Sequence, residues 1–220
     1  MTSPASPMPA AASAPTTVST PASPDAPARR THLLYLHGFR SSPRSAKARR
    51  MARWVQDHRP DLHFASPQLP PSPRDALTLV RALIQDWPVD TMAVMGSSLG
   101  GFYATQVAQL TGARTVLLNP AVDPARDLSN YIGEQTCWQD PSEHFYFRPE
   151  FVGELRELAV GEIAHPDRLM AVVAKGDEVL DWREMAARYA DCRIKLLEGS
   201  DHGLADFEDY LDELTAFLGL

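Results

Sequence analysis

The chain reads as an α/β protein, a mostly parallel, doubly wound sheet of about six strands with helices on both faces. Three observations predict this. From Thr31 onward, short apolar runs alternate with helix-period segments. Runs such as "THLLYLH" are apolar almost throughout, as buried strands are. The chain has 220 residues, 44% hydrophobic and 22% charged, enough for one substantial core and no more than one domain. Strands joined through helices run parallel with right-handed crossovers, and the working residues of such sheets lie on loops after the carboxyl ends of the strands.

The elements follow in order. "THLLYLH" (31–37) is the first strand. "SSPRSAKARRMARWVQDH" is a helix, with Ser42 as its cap and Pro43 in its first turn. Ala48, Met51, Ala52 and Val55 form its apolar face. "LHFASPQL" (62–69) is a second strand, closed by Pro70 and Pro71. "RDALTLVRALIQDW" is an amphipathic helix presenting Leu77, Val80, Ile84 and Trp87. "TMAVMG" (91–96) is a strand, 98–110 a helix, and "ARTVLLNP" (113–120) a strand. "RLMAVVAKG" (168–176) is a strand, 182–190 a helix, and "RIKLLEG" (193–199) the last strand. "FEDYLDELTAFLGL" closes the chain as a helix, with Phe207, Tyr210, Leu211, Leu214 and Phe217 facing inward.

Two stretches break the alternation. Residues 1–30 hold seven of the 19 prolines and almost no large apolar residue, the composition of a disordered tail. Neither the basic start nor the continuous apolar segment of a signal peptide is there, which disfavours export. Residues 123–167 separate two strands by far more than a usual connection. They carry "YIGEQTCWQDPSEHFYF" and a short helix around "PEFVGELREL", a candidate lid over a pocket. The rest is the domain, 31–220.

Net charge is −7 and the densest basic patch, "RSAKARR", spreads around a helix, so no nucleic-acid surface is expected. No apolar run is long enough for a membrane span. Cys137 and Cys192 match no metal or redox spacing, which favours a reducing, cytoplasmic setting. Oligomeric state is not legible.

The chemistry concentrates in "TMAVMGSSLGGFYATQVAQ". A nucleophile elbow needs Gly-x-Ser-x-Gly across a sharp strand-to-helix turn. Ser98 has Gly96 two before and Gly100 two after, whereas Ser97 would need glycine at Met95. A serine hydroxyl needs a base, and His202, between the last strand and the last helix, is placed to be one. The acid that orients it is Asp177 at the end of the penultimate strand, with Asp181 and Asp123 as rivals. Asp181 reads better as a helix cap. Backbone N–H groups of Leu99 and Phe39 are the expected oxyanion hole. His37 and Gly38 shape that loop and are both candidate substrate contacts, with His37 reading also as a structural histidine of the turn. Arg40, Arg44 and Lys47 stand near a helix N-terminus, where they could draw a substrate carboxylate or the phosphates of an acyl-CoA. The order Ser98, Asp177, His202 is that of an α/β-hydrolase.

The segments "LLYLHGFRSSPRSAKA", "PQLPPSP", "GSSLGGFYAT", "LLNPAV", "KGDEVLD" and "GSDHGLADFEDYLDELTAFLGL" together resemble the YqiA-like esterases, small bacterial α/β-hydrolases. The resemblance covers residues 31–220, loosely in the insertion, and excludes the tail. It implies a cytoplasmic carboxylic-ester or thioester hydrolase without cofactor, acting on a small molecule through Ser98, Asp177 and His202. The same residues would serve an acyltransferase. A binding protein on a hydrolase scaffold is the reading from another class.

Overall fold

The computed structural model describes Met1 and residues 29–220. The tail of 1–30 thus lies outside the described residues apart from Met1, Arg29 and Arg30. Arg30 is tied into the fold: its guanidinium donates to the Leu218 carbonyl at 3.0 Å and to the Asp90 carbonyl, and its own carbonyl accepts from Arg59 at 2.7 Å.

Six strands form one parallel sheet: β1 (His32–Leu36), β2 (His63–Ala65), β3 (Met92–Ser97), β4 (Arg114–Leu118), β7 (Leu169–Ala174) and β8 (Arg193–Leu197). Their order is β2-β1-β3-β4-β7-β8. The chain leaves β1 in one direction and returns to its other side as β3, so the switch point opens between the carboxyl ends of β1 and β3. Alternate residues serve opposite faces. Leu33, Tyr35, Ala93, Met95, Val116 and Leu118 pack under α1 (Ala46–His58) and α7 (Leu211–Leu218). Leu34, Leu36, Val94 and Leu117 pack under α2 (Pro73–Ile84), α3 (Leu99–Thr111) and α6 (Trp182–Arg188).

Several expectations shift. The second strand is three residues long, and the rest of 62–69 is loop with Leu69 buried. The cap of α1 is Ser45, whose Oγ accepts from the Ala48 N–H; Ser42 Oγ instead accepts from the Arg44 N–H, in a turn before the helix. The closing segment begins as a 3-10 turn, Phe207–Tyr210, before α7. The stretch 123–167 holds a short helix α4 (Pro124–Leu128), an antiparallel hairpin of β5 (Gly133–Cys137) and β6 (Asp140–Phe147), and α5 (Pro149–Glu157). The hairpin escaped sequence reading because "GEQTCWQDPSEHFYF" has Pro141 inside a strand and only a short apolar run.

Candidate active site

Ser98 sits where β3 turns into α3, with φ 55° and ψ −122°. An L-residue pays for that conformation in backbone strain, held here by packing that leaves no alternative. A Cβ on Gly96 would stand 2.2 Å from the Gly100 carbonyl oxygen, and one on Gly100 would stand 2.0 Å from that of Leu36. A Cβ on Gly101 would lie 2.8 Å from Pro120 Cβ. The glycines are therefore required by the approach of α3 to the strands, and the serine is what the turn exposes. Its backbone is locked as well: Ser98 N donates to the Leu118 carbonyl at 2.9 Å, and its carbonyl accepts from Gly101 N at 2.8 Å.

His202 Nε2 is 3.1 Å from Ser98 Oγ, and His202 Nδ1 is 2.7 Å from Asp177 Oδ2. A carboxylate only accepts, so Nδ1 carries the proton and Nε2 is left to accept from the serine hydroxyl. The Asp177 side chain is fully buried, and its other oxygen accepts from the Val179 and Leu180 N–H groups, both at 2.8 Å. The rival acids are used elsewhere. Asp181 caps α6 by accepting from Arg183 N, and Asp123 caps α4 by accepting from Arg126 N.

Leu99 N is the first N–H of α3 and Phe39 N lies in the loop after β1; neither donates to another group among the described residues. His37 is spent on that loop. Its Nδ1 donates to the Gly38 carbonyl at 2.9 Å and its Nε2 accepts from Leu69 N at 3.0 Å, while burial lowers its pKa. No ring nitrogen remains for a substrate. Arg40, at φ 57°, clasps the hairpin: it donates to the Thr136 carbonyl and hydroxyl at 2.9 and 3.0 Å and lies 4.0 Å from the Trp138 ring centroid. Arg44 pairs with Glu143 at 3.0 Å, and Lys47 donates to the Gly203 carbonyl at 2.7 Å. All three cations of the expected anion-attracting edge are paired with the protein's own acceptors in the structure.

A family model for the uncharacterised protein family UPF0227 matches residues 32–219. This chain belongs to the UPF0227 family. The resemblance read from its motifs is borne out at that level. Its similarity to the UPF0227 protein YE1706 of Yersinia enterocolitica is 26% identity over 190 residues, 84% of this chain and 97% of the relative. The fold is similar to that of Est1E from Butyrivibrio proteoclasticus with ferulic acid bound (TM-score 0.63, 13% identity, 86% of this chain and 87% of that one). It is also similar to the esterase domain of a Rhodothermus marinus protein (TM-score 0.62, 17% identity, 87% and 86%). The UPF0227 chain therefore has the α/β-hydrolase fold. No helix among its described residues is long and apolar enough to cross a membrane.

Sequence reasoning missed two residues that hold the histidine loop in this UPF0227 member. Asn119, fully buried at φ 42°, donates through Nδ2 to the Asp201 carbonyl at 3.0 Å and accepts at Oδ1 from Ala174 N at 2.8 Å. It ties the ends of β4 and β7 to the segment carrying His202. A polar residue between "TVLL" and a proline was the available signal. Glu178 accepts from His202 N at 3.1 Å. Ser98 and His202 open onto a cleft of about 970 Å3 walled by Leu99, Leu128, Tyr131 and Leu180.

Proposed function

We propose that this chain is a serine hydrolase that cleaves carboxylic esters or thioesters through an acyl-enzyme. The observation that carries the reading is His202, hydrogen-bonded at once to Ser98 Oγ and to buried Asp177. In this reading Ser98 Oγ attacks the substrate carbonyl carbon while Nε2 of His202 takes its proton. Charge gathers on the carbonyl oxygen, where the Phe39 and Leu99 amides would stabilise it. Asp177 fixes the tautomer and stabilises the imidazolium. The proton then passes from Nε2 to the leaving alcohol or thiol, and the acyl group stays on Oγ. Water, deprotonated by His202, attacks that ester, and His202 returns the proton to Ser98 Oγ as the bond to the acyl group breaks and the acid leaves. The His202 side chain is 21% exposed, so water reaches it, which favours hydrolysis over transfer to another acceptor.

The test is a matched panel of nitrophenyl esters and acyl-CoAs with the wild type and Ser98→Ala, together with labelling by a serine-directed phosphonate. Turnover that falls by on the order of 10⁴ or more in Ser98→Ala, with labelling only of the wild type, supports the reading. Turnover that survives the substitution sinks it.

A further inference from the structure

A second cavity, of about 490 Å3, lies on the other side of the loop after β1. It is formed by the "PQLPPSP" segment (Gln68, Leu69, Pro70 and Pro71), Leu79 of α2, Tyr103 of α3 and Phe145 of the hairpin. Its volume is within the range of ordinary small-molecule sites. It shares Phe39 and Leu99 with the catalytic cleft, so the two spaces meet at the residues whose amides flank Ser98. Gly38 lines it too, and a Cβ placed there would stand 3.5 Å from Ser98 Oγ. Gly38 is thus a cavity-lining residue next to the nucleophile.

The lining describes the occupant. Its charged side chains are committed: Arg40 to Thr136, Glu143 to Arg44. Both nitrogens of His37 are taken. Most of the remaining surface is apolar. Besides Ser41, Gln68, Cys137 and His144, Tyr103 brings a polar group, 2% exposed, with its hydroxyl hydrogen-bonded to no described residue. Burial and the nearby Glu154 carboxylate push its phenol well above the ordinary range, so it stays a donor. The hydroxyl is not among the fully enclosed unpaired polar atoms, so it opens onto the cavity and can donate to a ligand oxygen there.

We infer that this cavity is a second binding site for an uncharged apolar group bearing one hydrogen-bond acceptor, and that it takes one limb of the ester turned over at Ser98. The second half of this inference rests on the hydrolase reading above. The limb has two sources, the acyl chain or the alcohol, and both share this chemistry.

Leu79→Trp would fill the cavity from its rim, where Leu79 is 38% exposed and a larger side chain can be tolerated. Tyr103→Phe would remove only the hydroxyl. One arm compares kcat/KM for nitrophenyl octanoate and nitrophenyl acetate; the other compares octyl acetate and ethyl acetate. Leu79→Trp should lower the long-to-short ratio by about tenfold in one arm, which identifies the limb. Calorimetric binding of 1-octanol should weaken by about tenfold in Leu79→Trp and by a few-fold in Tyr103→Phe. Ratios unchanged in both arms overturn the assignment to substrate, and an octanol affinity equal in Leu79→Trp and wild type overturns the site. Absence of turnover in the wild type counts against the hydrolase reading alone, and the octanol measurement then decides for or against the cavity.

Discussion

The turn that carries Ser98 and the loop that carries His202 reach the same point in space by different means. The serine turn is held by backbone against backbone, with glycines where a Cβ would collide at 2.0 to 2.8 Å. The histidine loop is held by side chains reaching in from other elements: Asn119 from the end of β4, Lys47 from α1 and Glu178 from the end of β7. A steric constraint is local and nearly rigid, whereas a hydrogen-bonded one is distributed and depends on groups far away in sequence. Damage to the first should therefore appear as unfolding, and damage to the second as lost catalysis in a folded protein.

The largest effect is expected from Gly100→Ala. The new methyl would meet the Leu36 carbonyl of β1, which the sheet prevents from moving. Thermal denaturation should show a fall in Tm of more than about 10 °C, or no cooperative transition. A well-folded variant would remove the contrast between the two regions.

Asn119→Ala comes next. It frees the Asp201 carbonyl and leaves Ala174 N unpaired, and its left-handed backbone suits Asn better than Ala. We expect a stability loss of about 2 kcal/mol in urea and a fall in kcat of at least about tenfold, with KM little changed. A kcat that holds would mean the histidine loop positions itself.

Lys47 gives the comparison a pH dependence. Burial depresses its ammonium to about 8, against the pull of Asp201 and Asp177. The unfolded chain, with an ordinary lysine near 10.5, binds more protons than the folded one between these values. The wild type should therefore gain stability relative to Lys47→Met as pH rises from 8 toward 10.5, by up to about 3 kcal/mol. Urea titrations of both proteins across that interval check the sign; a gap that moves the other way would mean the lysine is stabilised as a cation.

Gly203→Ala should do least. A Cβ there would meet nothing nearer than Asp201 Oδ1 at 3.4 Å, an ordinary contact. Its Tm should stay within about 2 °C of the wild type.

The same contrast explains what could be read from the chain. The elbow was legible because its requirements fall within six residues, Gly96 to Gly101, and each is a demand for a missing side chain. His202 and Asp177 were placed from the rule that working residues follow strand ends, and the structure puts them within hydrogen-bond reach. Asn119 and the partners of Arg40 were not legible, since a contact spanning 96 residues leaves no periodic mark. The helices and central strands showed through their apolar faces. The hairpin did not, because most of its β6 residues are exposed and follow no buried-strand pattern.

Arg30, near the start of the continuous described stretch 29–220, is tied to Leu218. Both points lie at the amino edge of the sheet, beside the start of β1, while Ser98 and His202 lie at the carboxyl edge. A support, label or fused domain joined at residue 29 or residue 220 would sit behind the sheet. Attached that way to a surface, the protein would present its cleft outward.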